Sequence, residues 1–308
     1  MENISQANDT LTSIALYLYK GPSWQNVRKY SVPLAHFGAV FTLVLPFLSI
    51  SGSILLMAVI LRFPQLRHIP SNLLLMSLSA SDLLIGHLVQ PLHGLCALSK
   101  ERCASIVPIP PIFLLYIGSF LFQSSCLKLT MMTVDRYICI VESLRYQTIV
   151  TETRVNMAII ITWSISAVIP LLRFNLSLII ISKILMMIFL ASVLLIIIFC
   201  YTRIFCISRR HKRQITRQLQ AVTQGRAQQE FKSANTMFLV IGAVLVGYTP
   251  LMMINILLTA GIFNYVVKIV HPFAATFVVL NSSINPWIII YRSPKLHRFL
   301  KKLFKRHP

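Results

Sequence analysis

Seven stretches of this chain are long and apolar enough to cross a lipid bilayer, and that leaves it few architectures to choose from. A spanning helix takes ~20 mainly apolar residues, because hydrocarbon offers no partner to an unpaired backbone group. Such stretches lie near 34–61, 71–95, 108–134, 155–172, 177–207, 234–259 and 266–291. The fourth and fifth almost touch. Between them Pro170 and the following "LLRFNLS" supply a breaker, a charge and turn formers, so a very short hairpin loop is expected there. Composition agrees: 56% of the 308 residues are hydrophobic, 12% are charged, and mean hydropathy is +0.73. The expected fold is an all-α membrane protein, a seven-transmembrane helix bundle. Residues 1–33 form an extracellular amino-terminal segment, 34–292 the bundle, and 293–308 a cytoplasmic amphipathic helix and tail.

Lys and Arg are retained on the cytoplasmic side of short loops, so their placement orients the bundle. With the amino terminus outside, 20 of the 29 lie in cytoplasmic segments, eight lie outside, and Lys128 falls inside the third span. Three N-x-S/T acceptors, at Asn3, Asn8 and Asn175, fall outside in the same topology and are expected to be glycosylated. A fourth, at Asn281, lies within the last span and is expected to be unused. Cys126, Cys139, Cys200 and Cys206 lie in or near spans and read as packing residues. Cys96 and Cys103 flank "ALSKER" in the first outside loop, where an oxidising exterior permits a disulfide but does not require one. The basic, Gln-rich stretch 208–230 reads as linker. The net charge of +21 is then a topology signal together with attraction to anionic membrane lipids, and it calls for no nucleic acid.

Particular residues narrow the class. "DRY", Asp135-Arg136-Tyr137, closes the third span; "LSASDLL" carries Asp82 in the second; Trp163, Tyr201 and Pro250 mark the fourth, fifth and sixth; "NSSINP" places Asn285-Pro286 in the seventh. Six marks in order on six spans resemble the rhodopsin-like (class A) G-protein-coupled receptors, and the resemblance covers the whole chain. Departures point to a branch. Ser53 replaces a usual Asn, Val193 a usual fifth-span Pro, and Gly247-Tyr248 a usual Cys-Trp. Ile289 stands where the motif has Tyr, with Tyr291 turned about 200° away at ~100° per residue. Pro111 stands at the usual third-span Cys, and the second outside loop has no Cys. A short cysteine-free loop without the fifth-span Pro resembles the melanocortin, cannabinoid and lysophospholipid receptors.

The resemblance implies a plasma-membrane receptor, not an enzyme, that passes an extracellular signal to a heterotrimeric G protein. Its switch would be Asp135, Arg136, Tyr137, Tyr201, Glu230, Pro250, Asn285 and Pro286, with Glu230 locking Arg136 from the sixth helix at rest. Asp82, Ser125, Asn281, Ser282 and Asn285 would form a sodium site, whose alternative is a network satisfied by water. The ligand pocket would be lined by Gly118, Ser119, Phe122, Leu251, Met252, Asn255, Ala275 and Val279, with Gln123 and His93 as polar contacts. Gly118 lacks the acid that would hold an amine, and Val279 lacks the lysine that would hold retinal. Bases outnumber acids in the outside segments, so the expected ligand is small and apolar with an anionic head. Lys128 either snorkels, pairs with an acid, or is partly neutral. A ligand-independent or partner-type receptor is the alternative, ahead of a peptide receptor; the pattern lacks the polar paths or repeats of a channel or transporter.

Overall fold

The computed structural model describes residues 28–98, 111–175, 178–218, 242, 247–254, 256–257 and 265–305. Among these the chain is helical, with no strand. Helices Arg28–Arg62 (first span), Pro70–Leu84 continuing as Gln90–Leu98 (second), Pro111–Val141 (third), Glu152–Leu171 (fourth) and Ile179–Gln218 (fifth) are followed by 247–254 of the sixth and by Tyr265–Arg292 (seventh). Five contain stretches long and apolar enough to cross a membrane, and the seventh adds a shorter apolar stretch, Thr276–Tyr291.

Local chemistry explains the boundaries. Pro70, Pro111 and Pro294 each open a helix at the first position, where a missing N–H costs nothing. Thr151 caps the fourth helix by accepting from the Arg154 amide, and Glu152 follows in its first turn, where an acid complements the helix dipole. Pro170 lies inside that helix, which ends one residue later at Leu171. A single turn, Leu172–Phe174, completes the hairpin, and Phe174 rests on Phe113 and Tyr116 at the outer end of the third helix, 5.5 Å from each ring.

Two expectations need correction. The third helix does not finish at Asp135 but runs on to Val141, so the acid and base sit on a rigid helical surface rather than at a chain end. Residues 208–218 continue the fifth helix instead of beginning a linker. Their Arg, Lys and Gln are good helix formers and contain no Gly or Pro, so nothing stops the helix on leaving the apolar zone. Ile85–Val89, within the second span, form a π turn that periodicity does not reveal.

The bundle is built inside out relative to a soluble domain. Phe47, Ile160, Leu195 and Met253 are exposed, while Ser79, Ser81, Asp82, Gln90 and Ser125 are buried. Apolar side chains facing outward suit lipid, and the polar groups find each other within. One core cluster joins Leu78, Phe122, Cys126, Val193, Tyr201 and Tyr248 across the second, third, fifth and sixth helices. A second cluster, Leu56, Val59, Leu66, Leu75, Ile290 and Leu296, seats the last helix, Pro294–Lys305, against the first, with Phe63 and Phe299 rings 4.6 Å apart.

Candidate functional site

At the inner end, Asp135 is buried and accepts two hydrogen bonds from other elements. Ser71 Oγ on the second helix donates to Oδ2 at 2.9 Å, and the Tyr146 hydroxyl donates to Oδ1 at 2.7 Å. The hydroxyls of Ser71 and Tyr146 are themselves 2.9 Å apart. Arg136 Nε lies 3.6 Å from Asp135 Oδ2, with the arginine side chain 39% exposed. The carboxylate is therefore contacted from three sides, and the arginine side chain stays partly exposed. Burial pushes the Tyr146 hydroxyl up to about 12, Ser71 opposing and Asp135 adding to the effect, so at neutral pH it stays a donor. Tyr137 packs on the core cluster with its ring 6.3 Å from Phe199, and Tyr201 reaches Thr133.

Halfway through the bundle, Asp82, Ser125, Asn281, Ser282 and Asn285 are all buried. Ser125 Oγ donates to Asp82 Oδ1 at 3.1 Å, and Ser282 and Asn285 of the seventh helix stand beside the same carboxylate. Asp82 Oδ2, Asn281 Oδ1, Asn285 Oδ1 and Ser53 Oγ find no hydrogen-bond partner among the described residues. Buried oxygens with no protein partner, one of them on a carboxylate, are a donor set that fits a small hard monovalent cation. Around them the helices approach closely. The Asp82 carbonyl, which accepts from the Ile85 amide at the start of the π turn, also accepts from Ser49 Oγ of the first helix at 2.8 Å. A Cβ on Gly86 would lie 2.8 Å from Ser49 Cβ, so only glycine admits that approach. Gln90 Nε2 spans to Ser283 Oγ at 3.2 Å and ties the second helix to the seventh.

Tyr248 links this layer to the outer one. It is fully buried; Asn281 Nδ2 donates to its hydroxyl at 2.9 Å, and its ring meets Phe122 edge-on at 5.2 Å. One side chain thus joins third, sixth and seventh helices. Above it, Gly118, Ser119, Met252 and Val279 are part-buried and Phe122 is buried. Gln123 is buried with both amide atoms unpartnered among the described residues. Pro250 lies in the sixth helix, and Pro286 is buried within the continuous seventh. Asn175 ends the hairpin turn, exposed. Asn3, Asn8, Cys103, Glu230 and Asn255 lie outside the described residues, and of Cys96 and Ala275 only the helical backbone is described. The Cys96–Cys103 pairing and the Arg136–Glu230 lock fall there too. Cys126, Cys139, Cys200 and Cys206 are free thiols.

Sequence reasoning did not single out Ser49, Ser71, Gln90 or Tyr146 as partners, and it treated Tyr248 only as a departure. Trp287 was also missed: its indole N–H donates to the Leu48 carbonyl at 2.9 Å, across the first and seventh helices. Polar residues inside apolar runs were the available signal for Ser49 and Gln90. Nothing in the order of residues marks Tyr146, whose role depends on how the loop folds back.

A helical bundle with a buried acid beside a partly exposed arginine at one end and a layer of buried polar groups at mid-depth has the plan of a seven-helix receptor. The family model of the "7 transmembrane receptor (rhodopsin family)" matches residues 52–179 and 174–289, and the chain belongs to that family. It is a class A G-protein-coupled receptor, a multi-pass plasma-membrane protein of a receptor family rather than an enzyme family, and it resembles the cannabinoid branch. It is 28% identical over 291 residues to cannabinoid receptor type 1B of Takifugu rubripes, covering 84% of this chain and 61% of the relative. It is 26% identical to cannabinoid receptor 1 of Xenopus laevis, with 86% and 62% covered. Against trace amine-associated receptor 1 of Mus musculus it is 26% identical, with 81% and 83% covered. The chain thus spans about three fifths of the length of those cannabinoid receptors.

Proposed function

We propose that this receptor binds a small, mainly apolar extracellular ligand with an anionic head and couples it to a heterotrimeric G protein, with its amino terminus outside and its carboxyl terminus in the cytoplasm. The observation that carries the coupling is the geometry at Asp135 and Arg136. The acid is held by Ser71 and Tyr146, so the arginine can leave it without stranding an uncompensated buried charge. Glu230, twenty residues before Pro250, is the resting partner of that arginine. A shift from 1% to 10% active takes only ~1.4 kcal/mol, within the range of one partly buried ion pair. At mid-depth Asp82, Ser125, Asn281, Ser282 and Asn285 would hold a sodium ion, which would supply a positive charge beside the buried carboxylate in the resting state.

Ligand chemistry is argued from the lining. Relatives named for cannabinoids and for trace amines suggest different ligands, and Gly118, where an amine receptor needs an acid, favours the apolar one. Gln123, buried and without a partner among the described residues, is the polar group best placed to read a ligand. Lys20, Arg28, Lys29, Lys100, Arg102, Arg173, Lys183 and Lys268 in the outside segments attract an anionic head. Ligand-independent signalling is the second reading, supported by the replaced switch residues: Tyr248 is locked to Asn281, and Ile289 packs into both core clusters.

The test is G-protein activation in membranes at equal surface expression, with long-chain anionic and cationic amphiphiles as probes. Anionic probes should raise signalling, Glu230→Ala should raise it several-fold without any probe, and Arg136→Ala should abolish it. A response confined to cationic probes would overturn the ligand assignment. Unimpaired signalling by Arg136→Ala would overturn the coupling mechanism.

A further inference from the structure

Lys128 is a buried charge used by neither the inner switch nor the outer pocket. It is 0% exposed. Its Nζ donates to Ser124 Oγ at 2.8 Å and stands 3.4 Å from the centroid of the Trp163 ring. The indole cannot swing aside freely, because its own N–H donates to Ser77 Oγ at 3.2 Å on the second helix. An aromatic face and a hydroxyl acceptor make a seat for an ammonium, which has three donors and is attracted by the ring's negative face. Trp163 also packs on Phe120, with ring centroids 5.5 Å apart, so the seat is walled by the second, third and fourth helices.

This seat adjoins the polar layer through consecutive residues. Ser124 holds Lys128, and Ser125 donates to Asp82 Oδ1. Lys128 and Ser125 are three residues apart on one helix and so neighbour each other on its surface, which brings the lysine to the layer that holds the Asp82 carboxylate. In an interior that screens charge poorly, an ammonium in that layer weakens the carboxylate's pull on any second cation.

We propose that Lys128 is a tethered internal counter-ion of Asp82, and that it sets how weakly a small external cation is held there. The proposal rests on the reading of Asp82 as a cation site. The cation that enters must overcome repulsion from the ammonium, which neither snorkels to an interface nor leaves its aromatic seat. Lys128 thereby tunes the sodium response of the receptor without touching the ion.

The experiment uses the full-length protein in lipid nanodiscs and follows thermal unfolding across sodium concentrations, with N-methylglucamine replacing sodium at constant ionic strength. Lys128→Met keeps length and contact with Trp163 but removes the charge, and should saturate at about tenfold lower sodium than the wild type. Lys128→Arg should resemble the wild type. Adding Asp82→Asn to Lys128→Met should abolish saturable stabilisation. Should Lys128→Met fail to fold, Lys128→Gln, which can still donate to Ser124, replaces it. Equal midpoints for wild type and the uncharged variant overturn the counter-ion role while leaving the cation site standing. No saturable effect in either overturns the cation site itself, and an effect surviving Asp82→Asn puts the ion elsewhere and overturns both.

Discussion

Asp135 is bound to two hydroxyls that also bind each other, and such a closed triad should respond to mutation as a unit. Tyr146→Phe removes the donor to Oδ1, and Ser71→Ala removes the donor to Oδ2. A hydrogen bond to a charged group is worth ~1.5–3 kcal/mol, so each change should lower the unfolding midpoint by a few degrees. The double variant should lose less than the sum, because the two hydroxyls lie 2.9 Å apart and each single change already disturbs the other. Strict additivity in thermal unfolding of the purified proteins would break the triad into independent contacts. The Tyr146 hydroxyl, with its folded pKa pushed up from 10 to about 12, stays protonated after an unfolded tyrosine has ionised, so its contribution is present below pH 10 and is lost as pH climbs toward 12. At this scale the sequence was legible where chemistry is unusual for its setting. An acid within an apolar run, such as Asp82, has to be interior and partnered. Ser71 and Tyr146 carry no such anomaly, since each is ordinary at a membrane surface, and only their meeting in space gives them a role.

The helices meet at glycines and serines in the places where their backbones approach most closely. A Cβ at Gly52 would lie 2.6 Å from Trp287 Nε1, the atom that donates to the Leu48 carbonyl, and 3.1 Å from Pro286 Cβ. Gly52→Ala must therefore move an indole, break its hydrogen bond and part the first helix from the seventh. Overpacking of this kind costs ~1–3 kcal/mol. Its control is Gly242→Ala, where nothing among the described residues lies within 4 Å of the added Cβ and helix propensity favours alanine by ~1 kcal/mol. The first should lower the unfolding midpoint and the yield of folded receptor, and the second should leave both unchanged or raise them; equal behaviour of the pair would remove the close approach as a structural determinant. Helix existence was readable from apolar length alone. Helix ends were less so, because apolarity stops at the membrane surface whereas hydrogen bonding does not, and both the third and fifth helices run past it. The π turn at Ile85–Val89 was unreadable because apolar periodicity does not distinguish a π turn from the α-helix around it.

The whole molecule carries a net charge of +21, and its distribution argues for one orientation. Placing the 20 cytoplasmic bases outside would require moving the third inner loop and the carboxyl-terminal helix across the bilayer, against the retention that Lys and Arg impose. The last helix adds a second argument. Leu296, Phe299, Leu300 and Leu303 pack on the first helix and its following turn, while Lys301 and Lys302 stay exposed, suited to an anionic inner leaflet at ~1 kcal/mol per base. On the opposite side, exposed Asn175 follows a hairpin turn anchored by Phe174 on the third helix. The expected outcome is that Asn3, Asn8 or Asn175 carries glycan, and that the mass lost on deglycosylation disappears when all three are changed to Gln. In the same cells, an antibody to a tag on the carboxyl end should bind only after permeabilisation. Staining of intact cells would invert the bundle, and with it the proposed assignment of Arg136 to the G protein and of Gly118 and Phe122 to the exterior half.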